Sequence, residues 1–195
     1  MARVSLNPAL ASFLGELGDM VFKMRYGKVY ASRKPGYTPH PFTNAQKSAQ
    51  MRFRQATVYA KRVMADPDER ARYELAAKEK QMPVQNVIVA DFLNAPSVDQ
   101  IDLRGYDGRA GGTIRICASD DFDVTGVSIS ISLNEGEAIE HGAAVLSSMN
   151  WGRWVYTSTT SIPAGTHVRV EATATDGPGN TGMKSENMVA GSGQG

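Results

Sequence analysis

The chain has 195 residues, of which 42% are hydrophobic and 21% are charged, so wholesale disorder is excluded. This length allows one large domain or two small ones. The single cysteine, Cys117, excludes an intrachain disulfide and a cysteine-based metal site. Its neighbours favour a strand, in which we expect Cys117 to behave as a small core hydrophobe.

The formal net charge of +1 hides an asymmetry between the two halves of the chain. Residues 1–95 carry 15 Lys/Arg and 8 Asp/Glu, whereas residues 96–195 carry 6 and 12. Such a bipolar chain either binds nucleic acid through its basic end or attracts copies of itself head to tail. The alternative is two domains whose surfaces are unrelated.

The beginning of the sequence lacks the apolar core of a signal peptide, and no window approaches the 18 apolar residues of a membrane span. We therefore expect a protein that is made in the cytoplasm without a signal peptide and does not span a membrane. The final location stays open, with an extracellular or particle-associated site among the alternatives.

The first predicted elements are a short helix and a β-hairpin. Asn7 and Pro8 are typical of a helix start, and leucines continue the helical spacing to Leu17. From Met20 to Arg33 the apolar period changes to two, with a reversal at Gly27-Lys28, which predicts a hairpin. The proline-rich segment 34–42 then predicts an extended arm.

Two helices with clear start signals occupy Thr43 to Lys80. Thr43 and Gln46 form a capping box, and Asp66-Pro67 begins the second helix. The first helix carries an apolar stripe at spacings of three and four residues: Ala45, Ala49, Phe53, Ala56, Ala60 and Val63. A helical hairpin is therefore predicted. Residues 84–93 fit a third short helix, with a strand as the alternative.

After Pro96 the pattern becomes that of β-structure. The clearest strand runs from Val127 to Leu133, where apolar residues alternate with serines. Further strands are predicted around residues 98–103, 114–118, 143–146, 154–157 and 168–172. Their spacing of roughly 8 to 12 residues is typical of a sandwich.

Several segments of this half resemble the later strands of bacterial immunoglobulin-like (Big-type) domains. They are Trp154-Val155-Tyr156-Thr157, Gly165-Thr166-His167-Val168-Arg169-Val170, and Ala174-Thr175-Asp176-Gly177-Pro178-Gly179-Asn180. Asp120-Asp121-Phe122-Asp123 is similar to an earlier strand junction of the same domains. The resemblance covers about residues 95–189 and implies an immunoglobulin-like β-sandwich. Residues 16–95 more distantly resemble an uncharacterised bacterial protein family, through a Gly-Asp-Met-Val-Phe hairpin and a Thr-Asn-Ala-Gln helix start.

The predicted fold class is thus α+β plus all-β. Residues 1–95 form a basic module of a β-hairpin and helices, residues 96–190 form an immunoglobulin-like β-sandwich, and residues 191–195 form a flexible tail.

We expect no catalytic residues and no cofactor, because the three histidines are far apart and the serines lack a nucleophile elbow. Aromatic and basic residues of the first half are candidates for an assembly interface: Phe22, Tyr26, Arg33, Tyr37, Phe42, Phe53 and Tyr73. Trp151 and Tyr156 are candidates for ligand contact, since aromatic rings stack on sugars. Asp120, Asp121, Asp123 and Asp176 form a weak calcium candidate, because hard oxygen ligands suit that ion; turn residues that bond their own backbone are the commoner use.

The function predicted from these features is non-enzymatic. We expect a structural subunit, a homo-oligomer that self-assembles into a particle, tube or filament through its N-terminal module and displays the sandwich. The alternatives are a module that binds carbohydrate, a cell-surface glycan or a protein partner, and a nucleic-acid-binding protein that uses the basic residues 23–62.

Overall fold

The computed structural model describes residues 2–3, 14–25, 28–34, 36, 41–133, 136, 138–148 and 153–191. The chain forms two compact units, an N-terminal unit at Met1–Asn44 and a main unit at Ala45–Gly195. The charge pattern predicts a boundary at Pro96 instead. The helices stay with the β-rich part, whose loops they contact: Arg72 pairs with Asp123, and Asn180 bonds the backbone oxygen of Phe92.

The N-terminal unit contains an antiparallel sheet with the strand order β1-β4-β3-β2. Its strands are β1 (Ala2–Arg3), β2 (Gly15–Leu17), β3 (Met20–Arg25) and β4 (Lys28–Arg33). The predicted hairpin is confirmed by the pairing of β3 with β4, in which Phe22 lies opposite Ala31. The predicted helix is wrong at its end, since β2 pairs with β3. Gly15 has a φ of 127°, which a helix does not allow; the first part of that prediction lies outside the described residues.

The main unit begins with α1 (Asn44–Ala65), α2 (Pro67–Lys80) and α3 (Val84–Leu93). The predicted start of α2 is confirmed, because Asp66 Oδ1 accepts hydrogen bonds from the backbone N–H groups of Asp68 at 2.9 Å and Glu69 at 3.2 Å. The backbone turns left-handed at Gln81, with a φ of 51°, and this ends α2. Of the two alternatives for residues 84–93, the helix is confirmed.

The helices share a small apolar core, to which each of them contributes. Its buried side chains are Ala60, Val63, Tyr73, Ala77, Val87 and Ile88. The predicted stripe of α1 is used only in its second half: Ala56, Ala60 and Val63 are buried, whereas all residues from 44 to 55 are exposed.

The strands of the main unit form two antiparallel sheets of four. One sheet has the order β5-β6-β10-β9 and the other β12-β11-β7-β8. The bounds are β5 (Ser97–Gly105), β6 (Thr113–Ser119), β7 (Val124–Leu133), β8 (Ala138–Ala143), β9 (Val145–Leu146), β10 (Arg153–Thr157), β11 (His167–Asp176) and β12 (Thr181–Val189). The sequence patterns predict most of these strands but miss β8 and β12.

Both sheets contribute side chains to one apolar cluster. It contains Ile114 and Ile116 from the first sheet and Ile131 and Val170 from the second. Cys117 is only half-buried, so its predicted place in the core is wrong: the strand period puts Ile116 inward and Cys117 on the opposite face of β6. The described chain is therefore of mixed α+β class with a β-rich part.

Candidate functional site

The helices meet the loops at one end of the two sheets. We call this region the helix–sheet junction and define it by Tyr73, Asp91, Asp120, Asp176 and Asn180. Tyr73 comes from α2 and Asp91 from α3. Asp120 lies in the loop before β7, Asp176 is the last residue of β11, and Asn180 lies in the turn after it. Buried polar groups are costly unless they are hydrogen-bonded, so the partners of these side chains decide what the junction can do.

Asp91 is the central residue of the junction. It is 1% exposed and is the only charged residue of α3, whose other side chains are mostly apolar. The hydroxyl of Tyr73 donates a hydrogen bond of 2.5 Å to Asp91 Oδ2. The other oxygen, Oδ1, has no hydrogen-bond partner among the described residues. One oxygen of this buried carboxyl group therefore has a hydrogen-bond donor, and the other has none among the described residues.

Asp120 faces Asp91 from the loop before β7. Asp120 Oδ2 accepts hydrogen bonds from the backbone N–H groups of Phe122 at 3.1 Å and Asp123 at 3.2 Å, whereas its buried Oδ1 has no partner among the described residues. The pKa of Asp91 is raised from 3.8 to about 6. Burial is the largest cause, the hydrogen bond from Tyr73 opposes it, and the nearby Asp120 and Asp176 add to the rise.

The turn after β11 joins the strands to the end of α3. Asp176 Oδ1 accepts hydrogen bonds from the backbone N–H groups of Gly179 at 2.7 Å and Asn180 at 2.6 Å. The side-chain amide of Asn180 donates to the backbone oxygens of Phe92 at 3.2 Å and Asn94 at 3.4 Å, and to Asp176 Oδ2 at 2.7 Å. The Asp-Gly-Pro-Gly-Asn segment therefore holds the last carbonyl groups of a helix.

Charged residues surround the junction at its exposed edge. Arg72 of α2 donates to Asp123 Oδ2 at 2.7 Å, and Lys80 of the same helix bonds the backbone oxygen of Asp121. Asn94 donates to the Asp121 carboxylate. These exposed pairs are each worth less than about 1 kcal/mol, so they orient the helices more than they stabilise them.

Aromatic rings pack beside the carboxyl groups. Tyr73 stacks on Phe122 with ring centroids 4.0 Å apart, and Tyr59 packs against Phe92 at 5.3 Å. Burial raises the pKa of both Tyr59 and Tyr73, so their hydroxyls stay protonated. A cavity of about 190 Å³ lies between Tyr59, Tyr73 and Phe122. Ligand pockets usually measure about 300 Å³ or more, so this cavity is too small for one.

A second buried carboxylate, Glu140 of β8, is fully satisfied. We call it and its partners the Glu140 cluster: Glu140, Tyr156, Ser158, Thr159 and Thr160. Glu140 accepts from the hydroxyls of Tyr156 at 2.8 Å, Ser158 at 2.9 Å and Thr159 at 3.0 Å, and from the backbone N–H groups of Thr159 at 2.6 Å and Thr160 at 3.1 Å. Burial alone would raise the pKa of Glu140, but these hydrogen bonds lower it from 4.5 to about 2.

A groove on the β-rich part is polar. It lies on the outer face of the β12-β11-β7-β8 sheet, encloses about 460 Å³ and is lined by Ser130, Ser132, Gly136, Ala138, Arg169 and Glu171. Arg169 and Glu171 form an ion pair at 3.5 Å. Among the described residues its lining contains no aromatic ring on which a sugar could stack.

The candidate assembly residues differ in their exposure. Arg33, Phe42 and Phe53 are exposed and Phe22 is half-buried. Tyr73 is 4% exposed and points into the helical core, so we remove it from the interface. Tyr26 and Tyr37 lie outside the described residues.

The described ligand and calcium candidates are engaged by other partners. Tyr156 is 7% exposed and bound to Glu140, so it is not accessible to a sugar; Trp151 lies outside the described residues. Asp120 and Asp176 accept backbone hydrogen bonds, and Asp123 pairs with Arg72. The described part of the chain contains no group of three or more His, Cys, Asp or Glu residues that could hold a metal ion.

Comparison with models of protein families and with curated proteins finds no match for this chain. None of the helices in the described residues has the length and apolarity that crossing a membrane requires.

Asp91 and Glu140 were not among the residues singled out from the sequence. The signal for Asp91 is a single acidic residue inside an apolar helix, which is costly unless it is paired. The signal for Glu140 is weaker: a Ser-Thr-Thr run after β10 offers hydroxyl donors, but its distance along the chain hides the partner.

Proposed function

We propose that the protein is a structural subunit that assembles with copies of itself through the exposed half of α1. The observation that carries this proposal is the apolar stripe of that helix, which continues beyond its packed part. Ala45, Ala49 and Phe53 lie on the same stripe as the buried Ala56 and Ala60, yet all three are exposed, Phe53 by 56%.

The lengths of the helices explain why part of the stripe is left over. With a rise of 1.5 Å per residue, the 22 residues of α1 span about 33 Å and the 14 residues of α2 about 21 Å. A partner of 14 residues cannot cover a stripe of 22. The uncovered end of α1 is therefore available to a second surface.

Charge complementarity makes another copy of the chain the favoured partner. Helix α1 contains five Lys/Arg and no Asp/Glu, and Lys47, Arg54 and Lys61 are exposed. Residues 96–195 carry 6 Lys/Arg and 12 Asp/Glu, with Asp99 and Glu186 exposed. A basic helix on one copy and an acidic surface on the next give a head-to-tail contact, which generates rings or filaments.

The N-terminal sheet supports the same proposal. Its buried apolar side chains among the described residues are Val29 and Ala31, whereas Leu14, Leu17 and Met24 are each at least half exposed. A sheet with so small a core gains stability when a partner covers its apolar face.

We propose further that the β-rich part is an immunoglobulin-like sandwich that the assembly displays. The order β5-β6-β10-β9 corresponds to strands A, B, E and D of that fold, and β12-β11-β7-β8 corresponds to G, F, C and C′. One apolar cluster shared by both sheets supports the same interpretation.

The test is the mass of the full-length protein in solution, by sedimentation velocity over a range of concentrations. We expect a large species that dissociates when salt rises from about 0.1 M to 1 M, because the screening length falls from about 10 Å to 3 Å. Phe53→Asp should reduce the mass to that of the monomer. Met51→Asp is the matched control, since Met51 is at least as exposed, at 65% against 56% for Phe53, but lies roughly 200° around the helix.

A wild-type protein that stays monomeric at high micromolar concentration overturns the proposal, as does a Phe53→Asp variant of unchanged mass. Nucleic-acid binding through residues 23–62 is the remaining alternative from the sequence. A monomer that binds duplex DNA with a steep salt dependence would favour that function instead.

A further inference from the structure

Asp91 and Asp120 each leave one buried oxygen without a donor. Their Oδ2 atoms are satisfied by Tyr73 and by backbone N–H groups, whereas neither Oδ1 has a hydrogen-bond partner among the described residues. The two carboxyl groups nevertheless lie within hydrogen-bonding reach of each other. An ionised carboxylate only accepts, so two of them cannot satisfy each other unless one carries a proton.

We propose that the helix–sheet junction is a protonation site at which Asp91 binds one proton and donates it from Oδ1 to Oδ1 of Asp120. This hydrogen bond fastens α3 to the loop before β7. When the pH rises, the proton passes to solvent and leaves two carboxylates facing each other in a buried place. The junction is then weakened, because like charges repel and neither oxygen has a donor.

The surroundings of Asp91 support the neutral form. Tyr59 of α1 and Tyr73 of α2 approach it from the helices, and Asp120 and Asp176 approach it from the loops. The negative charges of the two aspartates oppose ionisation of Asp91. Among the described neighbours, the Tyr73 hydroxyl is the group that favours its ionised form. Arg72 and Lys80 are engaged at the rim by Asp123 and Asp121. The raised pKa of Asp91, about 6, agrees with this balance.

The direction of the pH dependence follows from the pKa values in the folded and unfolded chain. The pKa of Asp91 rises from 3.8 unfolded to about 6 folded, so the folded protein binds more protons between these values. The stabilisation is fully present below pH 3.8 and is lost as the pH rises through about 6. Two pKa units correspond to about a hundredfold change in the ratio of folded to unfolded protein.

The test is urea unfolding of the full-length protein from pH 4.5 to 8 with two single variants. In Asp91→Asn and in Asp120→Asn the new amide replaces the shared proton, since its N–H can donate to the opposite carboxylate. At pH 8 each variant should raise the folded-to-unfolded ratio by up to about a hundredfold. Each should also remove the fall in stability between pH 4.5 and 7. Asp99→Asn, at an exposed position, is the control and should leave the profile unchanged.

The double variant separates a shared proton from two independent effects. In Asp91→Asn/Asp120→Asn both amide N–H groups face each other, because the two oxygens are held by Tyr73 and by the backbone of residues 122 and 123. The double variant should therefore be less stable than either single variant. Additive gains would overturn the proposal, as would a pH profile of Asp91→Asn that runs parallel to that of the wild type.

A direct readout does not depend on variants that fold. In the wild type the ¹³Cγ resonance of Asp91 should titrate with a midpoint near 6. A midpoint near the ordinary value of about 4 would overturn the proposal. So would a calcium titration at pH 8 that raises the urea midpoint of the wild type but not of Asp91→Asn, since the site would then hold a cation and not a proton.

Discussion

Asp91 and Glu140 are both buried carboxyl groups of the main unit, but they differ in the number of hydrogen-bond donors around them. Glu140 accepts five hydrogen bonds, two of them from backbone N–H groups, and these hold its pKa near 2. Asp91 accepts one from Tyr73 and faces two other aspartates, and its pKa is near 6. Burial is common to both, so the number of donors decides which charge state the fold prefers.

Replacing the carboxyl group by an amide should therefore have opposite effects on stability at the two sites. Glu140→Gln replaces an acceptor by an N–H₂ group that faces the donors of Ser158 and Thr160 or of Tyr156 and Thr159. We expect the free energy of unfolding at pH 7, measured with urea, to fall by about 3 kcal/mol, because buried donors lose their acceptor. Glu186→Gln on the exposed part of β12 is the matched control. An unchanged stability would show that the Glu140 cluster contributes nothing.

The pH windows of the two sites should also be separate. The free energies of unfolding of the wild type and of Asp91→Asn should diverge between pH 4 and 7, to a difference of about 2 to 3 kcal/mol. Above pH 6 the wild type should be the less stable of the two. Glu140 has a folded pKa of about 2 against 4.5 unfolded, so its stabilisation is present above pH 4.5 and is lost as the pH falls towards 2. The measurement is urea unfolding at intervals of half a pH unit. A single pH range in which both carboxyl groups lose their stabilising effect would contradict the prediction.

Removal of the hydroxyl of Tyr73 sharpens the comparison. Tyr73→Phe leaves Asp91 Oδ2 without the one donor described for it, and we expect a loss of about 2 kcal/mol at pH 7. Because that hydrogen bond favours the ionised form, the titration midpoint of Asp91 should also move upward. A midpoint that moved downward would contradict the role given to Tyr73.

The smallest effect is expected for Tyr156→Phe. Glu140 keeps four other hydrogen bonds in this variant, so a loss of about 1 kcal/mol is expected in the same assay. Burial and the neighbouring carboxylate raise the pKa of Tyr156 to about 12, and the hydroxyl is a donor throughout the range tested. A loss as large as that of Glu140→Gln would mean that one bond, not the network, holds the cluster.

Local signals in the sequence were sufficient for the elements they specify. Asp66-Pro67 caps α2 where it was expected, and the serine alternation of Val127 to Leu133 matches β7. β8 was missed because its buried residue is Glu140, which breaks the apolar alternation that marks a strand. The end of the predicted first helix was wrong because Gly15, with its positive φ, lies in a strand instead of continuing the leucine spacing.

The site could not be predicted in the same way, because its residues are distant along the chain. Asp91 meets Asp120 and Asp176 only when helix and sheets pack together, and no spacing rule describes that contact. The opposite charges of the two halves were interpreted as an attraction between copies. Part of this attraction acts within one chain, where Arg72 and Lys80 bind the loop that contains Asp121 and Asp123.

The turn that carries Asn180 sets an order of events during synthesis. The side chain of Asn180 holds the carbonyl groups of Phe92 and Asn94, although 88 residues separate it from Phe92. The ribosome delivers the three helices long before that turn, and Phe122 must also emerge before Tyr73 is covered. The carbonyl groups of Phe92 and Asn94 therefore lack this hydrogen-bond donor until residue 180 has left the exit tunnel.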